Sequence, residues 1–152
     1  MQLAQKIIAT TVPQGKMGIF FLGQAGFILQ SPNGERMGID LYLSNCCERY
    51  FGFKRLTPQL LLPGELELDW VLASHAHHFD PDSIPLLLAN GRTRLLVAGD
   101  CAAECARLGI SEERFRILTL GERVSAGDFE ILPVPCDHGE AAPDALGLYI
   151  CC

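Results

Sequence analysis

WVLASHAHHFDPDS, residues 70–83, joins an apolar run, three histidines and a helix start in one short stretch. Trp70 to Ala73 predicts a short buried strand, because its apolar residues are consecutive and end at polar ones. Asp80 has the residue type of a helix N-cap, and Pro81 suits the first helical position. The helix is predicted to run to about Ala89. The stretch therefore predicts a strand, a histidine-bearing loop and a helix.

Three strands are predicted before this stretch, over Met17–Leu22, Ala25–Gln30 and Arg36–Leu41. Turn residues separate these β-prone runs at short intervals, which is typical of an antiparallel meander. Residues 42–67 carry few periodic signals and form a long connection. We expect this segment to be a functional loop or an interaction surface.

After the histidine stretch the chain alternates between strands and a helix. The predicted helix spans Cys101–Leu108, and the predicted strands are Arg94–Ala98, Phe115–Leu118, Arg123–Ser125, Phe129–Val134 and Ala145–Cys152. Strands followed by β–α–β alternation predict a mixed α/β fold, in which helices pack on a mixed sheet. The chain ends inside an apolar strand, so we expect it to be truncated there.

Composition narrows the class of protein. The formal charge is −6 and the basic residues are dispersed, which argues against a nucleic-acid partner. No apolar run reaches the roughly 18 residues of a membrane helix, and no signal-peptide pattern is present. The seven cysteines are then expected to be reduced and mostly buried, in a cytoplasmic protein.

Metal binding is the chemistry that the histidines suggest. His75, His77 and His78 follow the end of a predicted buried strand, where open α/β sheets place their ligands. In an extended loop His75 and His77 would face the same way and could share one ion. His138 follows another apolar strand and precedes Gly139, so it is a further candidate ligand. Imidazole alone does not name the metal.

Other polar residues and thiols have less specific predictions. Asp100 is predicted to cap the helix that follows it. Cys101 and Cys105 lie one helical turn apart and are predicted to be packing residues. Cys136, two positions before His138, is predicted to be a buried apolar residue.

Five ordered segments resemble one known family. They are Phe21–Phe27, Ile39–Ser44, Gly52–Leu56, Ser74–Ser83, and His138–Glu140 with Ala142–Gly147. In this order they are similar to the metallo-β-lactamase-fold superfamily, in the branch of L-ascorbate-6-phosphate lactonase. The resemblance implies an αββα sandwich, of which residues 1–152 would be a single truncated domain holding the N-terminal half.

The family signature is H-x-H-x-D-H, and this chain departs from it. By resemblance, His75, His77 and His138 would hold one metal ion, and His78 would match the final histidine after a two-residue deletion. Read without a gap, Phe79 falls at the Asp position and Asp80 at the final histidine, so the signature Asp is absent in either alignment. We therefore expect at most one three-histidine site.

Two residues outside the signature are candidates to act near the metal or the substrate. Asp40 resembles an acidic residue close to the metal, where it would orient a ligand histidine, and a turn-capping role is an equal alternative. Gln24, in the first hairpin turn, would face the substrate by resemblance and is otherwise a plain turn residue.

The resemblance implies a metal-dependent hydrolase that uses zinc or manganese to activate water against a lactone, ester or phosphoester. A phosphorylated sugar-acid lactone is the small-molecule substrate that the branch suggests. The alternative is a catalytically impaired or inactive fragment with residual histidine metal binding. An exposed apolar flank would favour a homo-oligomer or a complementing chain.

Overall fold

The computed structural model describes residues 2–140 and 142–152. Six strands form a first sheet in chain order: β1 (Gly18–Gly23), β2 (Gly26–Gln30), β3 (Arg36–Ile39), β4 (Trp70–Ala73), β5 (Arg94–Val97) and β6 (Phe115–Ile117). β1, β2 and β3 pair antiparallel, whereas β3 to β6 pair parallel. The predicted meander and mixed sheet are both confirmed.

Three more strands form a second, antiparallel sheet: β7 (Val124–Ala126), β8 (Phe129–Pro135) and β9 (Leu146–Cys151). Each matches a strand predicted from the sequence, with ends that differ by at most one residue. β8 alternates buried and less buried residues along its length, as expected for a strand with one face on a core.

Four α-helices connect or precede the strands: α1 (Leu3–Ala9), α2 (Cys46–Phe51), α3 (Ile84–Leu88) and α4 (Ala102–Arg107). Three 3₁₀ segments cover Ala76–His78, Gly99–Cys101 and Glu112–Arg114. α1 and α2 were not predicted, and α2 is a helix inside the segment expected to be a loop. Within the described residues, no helix is both long and apolar enough to cross a membrane.

α3 begins later than predicted. Asp80 does cap a turn there, because its Oδ1 accepts hydrogen bonds from the backbone N–H groups of Asp82 and Ser83, each at 3.1 Å. The regular helix then starts only at Ile84, with Pro85 in its first turn. The capping chemistry was predicted correctly and the helix start was not.

The central strands are buried on both faces, and alternate residues serve two cores. Val71 of β4 and Leu95 of β5 belong to the core beneath the helices. Leu72 and Leu96 belong to a second core, shared with the inner face of the second sheet. Helices, first sheet and second sheet thus form three layers. They match three layers of the predicted αββα sandwich, and the described residues include no helix layer on the outer face of the second sheet.

Glu35 ties the two sheets together at one end. One carboxylate oxygen accepts the Trp70 indole N–H at 3.2 Å, and the other accepts the backbone N–H of Asp128 in the β7–β8 turn. The Asp128 carboxylate in turn accepts the Ser31 hydroxyl at 2.5 Å. These bonds fix the second sheet against the first, which matters because residues after β4 and after β8 meet at the opposite end.

Candidate metal centre

Asp40 and Ser74 lie side by side, because β3 and β4 run parallel and end at the same edge of the sheet. The Asp40 carboxylate accepts the backbone N–H of Ser74 at 2.7 Å and its hydroxyl, also at 2.7 Å. Asp40 itself has a φ of 48°, in the left-handed region. The carboxylate therefore holds the residue that immediately precedes the histidine loop.

The histidine loop is a turn, not an extended segment. His75 is extended, with φ −170° and ψ 170°, and Ala76–His78 forms a 3₁₀ turn closed by a 3.0 Å bond from His78 N–H to the His75 carbonyl. The prediction that alternate residues of an extended loop bring His75 and His77 together was wrong in its reason. The turn brings their rings to 5.4 Å between centroids, nearly perpendicular.

Asp100 anchors this turn from the neighbouring strand. Its Oδ2 accepts the backbone N–H of Ala76 at 3.1 Å, across from the end of β5. The predicted role of Asp100 as a side-chain helix cap is wrong, because α4 has no side-chain cap bond. The signal that could have located it is its position in the segment that follows β5, the parallel neighbour of β4.

Three imidazoles converge at this edge. One nitrogen from each of His75, His77 and His138 lies within 4.8 Å of the other two. His138 comes from the segment after β8. The centroid of its ring lies 4.4 Å from that of the His75 ring and 5.9 Å from that of the His77 ring. His75 is buried, whereas the other two are exposed. The cluster is therefore open to solvent on one side.

The hydrogen bonds around His75 define its tautomer. Because Asp40 can only accept, the Ser74 hydroxyl donates to it, and the Ser74 oxygen is left to accept from His75 Nδ1 at 3.0 Å. His75 then carries its proton on Nδ1 and presents the Nε2 lone pair. That Nε2 atom is buried and has no hydrogen-bond partner in the part of the chain that the structure describes.

The electrostatic surroundings keep His75 neutral. Burial, and after it the neighbouring His78 and His138, lower the His75 pKa from 6.5 to about 4. A metal ligand must be neutral imidazole, so this shift favours the required form at neutral pH. A buried, unpartnered imidazole nitrogen in a cluster with two more imidazoles is a donor set that fits a divalent metal ion.

His78 lies next to the cluster but does not belong to it. The centroid of its ring lies 4.2 Å from that of His75, with the two planes tilted by 46°, and its Nδ1 is 2.9 Å from Asp40 Oδ2. Asp40 thus contacts His78 directly and His75 through Ser74. A ligand role for His78 stays a prediction.

Asp80 and Phe79 fill the positions after the histidines with buried side chains. Phe79 belongs to the core beneath the helices. The Asp80 carboxylate accepts the Leu43 N–H at 3.0 Å and the hydroxyls of Ser44 and Ser83, each at 2.7 Å. Both oxygens of the Asp80 carboxylate accept hydrogen bonds, from these groups and from the turn that it caps. Asp80 therefore serves as a structural anchor for residues 43–44.

A cavity of about 420 Å³ opens beside His77 and His78. Gln24, in the β1–β2 turn, lines it and has a φ of 54°. The remaining lining comes from the ends of β3 and β4 and from the segment around α2: Ala25, Asp40, Leu41, Tyr42, Cys46, Cys47, Phe51, Phe53, Phe79 and Asp80. The aromatic residues of this wall were not singled out from the sequence, because they lie in a segment without periodicity.

The cysteines are unpaired. Cys101 and Cys105 are fully buried in the helix-side core, and burial raises the pKa of both thiols, that of Cys105 to about 11. Their predicted packing role is confirmed. Cys136 is exposed, so its predicted burial was wrong. It follows the last residue of β8, where the chain leaves the second core.

Comparison with known proteins finds similar sequences and similar folds. No family model matches the chain. A protein described as a UPF0173 metal-dependent hydrolase from Anaeromyxobacter dehalogenans (strain 2CP-C) is 28% identical over 140 residues, covering 88% of this chain and 47% of the relative. The chain spans about half the length of the curated relatives it matches.

Solved structures match over most of the chain. The metallo-β-lactamase fold protein YhfI from Bacillus subtilis superposes with a TM-score of 0.53 at 19% identity, over 83% of this chain and 50% of that one. The chain has the metallo-β-lactamase fold. CmlA, a diiron β-hydroxylase from Streptomyces venezuelae, matches with a TM-score of 0.61 at 19% identity, over 91% and 28%. The metallo-β-lactamase fold predicted from the resemblance is confirmed, and this chain corresponds to about half of such a domain in YhfI.

Proposed function

We propose that this chain binds one divalent metal ion through His75, His77 and His138 and acts as a metal-dependent hydrolase. The convergence of three imidazole nitrogens within 4.8 Å carries the proposal. The end of β4 in the first sheet supplies His75 and His77, and the end of β8 in the second sheet supplies His138, so the cluster is assembled by the fold and not by sequence proximity alone. Three protein ligands are also the number that catalytic zinc sites use.

A divalent ion bound here would polarise a substrate carbonyl or phosphoryl oxygen and lower the pKa of a water molecule. The residues of the chain prepare the site for it. Ser74 and Asp40 hold His75 in the tautomer with a free Nε2, and Asp100 fixes the turn that carries His77. The exposed sides of His77 and His138 leave room for water and substrate.

The chemistry proposed is hydrolysis of a lactone, ester or phosphoester, as in a lactonase-like enzyme. The UPF0173 relatives, described as metal-dependent hydrolases, support the reaction class. Zinc and manganese remain the proposed metals, and the diiron neighbour adds iron as an ion for the same assay. The seven unpaired thiols support a cytoplasmic location.

The test is the metal content per chain, by elemental analysis of protein purified without chelator. We expect about one ion per chain in the wild type, and none in a His75→Ala/His77→Ala double variant. Asp82→Asn is the matched control, since Asp82 pairs with Arg49 at the surface away from the cluster, and it should retain the ion. A His78→Ala variant tests the predicted ligand role of His78, which loss of the ion would support. A folded wild type that holds no metal would overturn the proposal.

One observation favours a second candidate, a metal-binding protein with little or no turnover. The signature Asp that would help to hold a second ion is absent, and Phe79, next to the last histidine of the loop, is buried in the core. Assays of the metal-loaded protein on neutral esters, lactones and phosphoesters separate the two. Hydrolysis lost in the double variant supports the enzyme, whereas a bound ion without hydrolysis supports the alternative.

Association with a second chain is part of the proposal. Ile19 and Phe21 are exposed on β1, which is the edge strand of the first sheet. Exposed apolar side chains on a strand edge favour pairing with another copy or with a complementing chain. Sedimentation velocity tests whether the chain forms a homo-oligomer. If it is a monomer at micromolar concentration, pairing with a complementing chain is the proposal that remains.

A further inference from the structure

The cavity beside the histidines is walled mainly by apolar side chains. Leu41 and Phe79 are buried in its wall, while Phe51 and Phe53, at the end of α2 and just after it, are 63% and 71% exposed. Exposed aromatic rings that line a cavity have apolar surface still to be covered. A ligand that buries this surface gains free energy in proportion to its own apolar area.

The polar groups of the wall are already engaged or uncharged. The Asp80 carboxylate is buried and accepts several hydrogen bonds, and Asp40 is bonded to Ser74. The Tyr42 hydroxyl is one of the uncharged groups, and it is buried without a hydrogen-bond partner among residues 2–140 and 142–152. It is a neutral group that can bond an ester or lactone oxygen.

No Lys or Arg lines this cavity in the part of the chain that the structure describes. One cation behind its wall is Arg55, whose guanidinium carbon lies 4.0 Å from the Tyr42 ring centroid. That guanidinium donates to the carbonyls of Tyr42 and Ser44, at 2.7 and 2.5 Å. A phosphate group placed here would therefore meet two carboxylates and no free cation.

We infer that the cavity binds the acyl chain of a neutral ester or lactone, whose carbonyl lies beside His77 at the metal centre. The inference rests on the proposed function, because it takes the histidine cluster as the reaction centre. It narrows the substrate class to neutral apolar acyl compounds and away from the phosphorylated sugar-acid lactone. A volume of about 420 Å³ lies within the usual range for small-molecule sites.

Ligand binding to the metal-free chain tests this inference separately from catalysis. N-phenyl-1-naphthylamine, a neutral fluorescent probe, is titrated into the protein and then displaced by methyl butanoate, hexanoate and octanoate. We expect the dissociation constant of the ester to fall about fourfold for each added methylene, because burial of one methylene contributes about 0.8 kcal/mol of binding free energy. Glucose 6-phosphate is expected not to displace the probe.

Three variants locate the binding. Phe51→Ala and Phe53→Ala each remove an exposed ring of the wall and should weaken octanoate binding about tenfold. Tyr149→Ala is the matched control, because its ring is 61% exposed on β9, outside the cavity, and it should bind as the wild type does.

A folded wild type that does not bind the probe would overturn the inference, as would a series without chain-length dependence or equal losses in all three variants. Displacement by glucose 6-phosphate at lower concentration than octanoate would overturn it too. A missing metal ion with chain-length-dependent binding intact would overturn the proposed function alone.

Discussion

Replacing Asp40 with Asn should change which nitrogen of His75 carries the proton. Asn fits the backbone, because asparagine tolerates the left-handed φ of 48° found at this position. The side-chain amide can still accept the Ser74 N–H through its oxygen. Its NH₂ group, however, now faces the Ser74 hydroxyl and donates to it. The hydroxyl proton then turns to His75 Nδ1, and the His75 proton moves to Nε2, where the lone pair is needed.

The magnitude follows from the role of that lone pair. Loss of the group that orients a metal-binding histidine typically lowers metal affinity tenfold to a hundredfold, or about 1.4–2.8 kcal/mol. We expect a loss in this range for Asp40→Asn, measured by competition with a chromophoric chelator. Asp82→Asn is the control, because Asp82 pairs with Arg49 at the surface and should leave the affinity unchanged.

Two results would refute the reasoning. The tautomer of His75 can be read from the ¹⁵N chemical shifts of its ring, and an Asp40→Asn variant that keeps the proton on Nδ1 would contradict the proposed relay. In a Ser74→Ala background the relay is already broken, so Asp40→Asn should then cost much less. An equal loss of affinity with and without Ser74 would show that Asp40 acts by another route, such as its contact with His78.

Three further predictions concern stability and thiol exposure. Asp80→Ala should lower the free energy of unfolding by about 3–5 kcal/mol in denaturant titrations, because it leaves buried N–H groups unpaired; a loss under about 1 kcal/mol would contradict the anchoring role. The metal-free protein should lose stability as the pH falls from 6.5 towards 4, because His75 has its lowered pKa only when folded and the unfolded chain binds the proton first; a His75→Gln variant should show a flatter pH profile. Ellman's reagent should modify Cys136 rapidly and reach Cys101 and Cys105 only on unfolding; early loss of all thiols would mean that the helix-side core is open.

The strands that the structure describes could be predicted because most of them contain an apolar run and lie between turn residues. β4 is an unbroken apolar run, and so is β5 after Arg94, since both faces of these strands are buried. α2 was missed because it is only six residues long, too short to show helical periodicity, and ends at Gly52 with a φ of 74°. α1 is likewise short, so its few apolar positions do not distinguish it from a loop.

The parts of the candidate site that depend only on residue type and on position after a strand could be predicted from the sequence. The three clustered histidines and His138 follow strand ends, and such residues meet when the strands share an edge. The parts of the site that depend on contacts between distant segments could not be predicted from the sequence. Asp100 and Ser74 act through single hydrogen bonds to the loop, and the aromatic wall of the cavity needs the path of residues 42–53 to be known.

The histidine cluster draws on both sheets, and this has a consequence for how the layers hold together. His77 follows a strand of the first sheet and His138 one of the second, roughly 60 residues further along the chain. An ion bound by both would act as a covalent cross-link does, closing a loop whose entropy in the unfolded chain is worth about 4 kcal/mol. Amide hydrogens of β8 and β9 should therefore exchange with solvent more slowly in the metal-loaded protein, which makes the second sheet the reporter of whether the centre is filled.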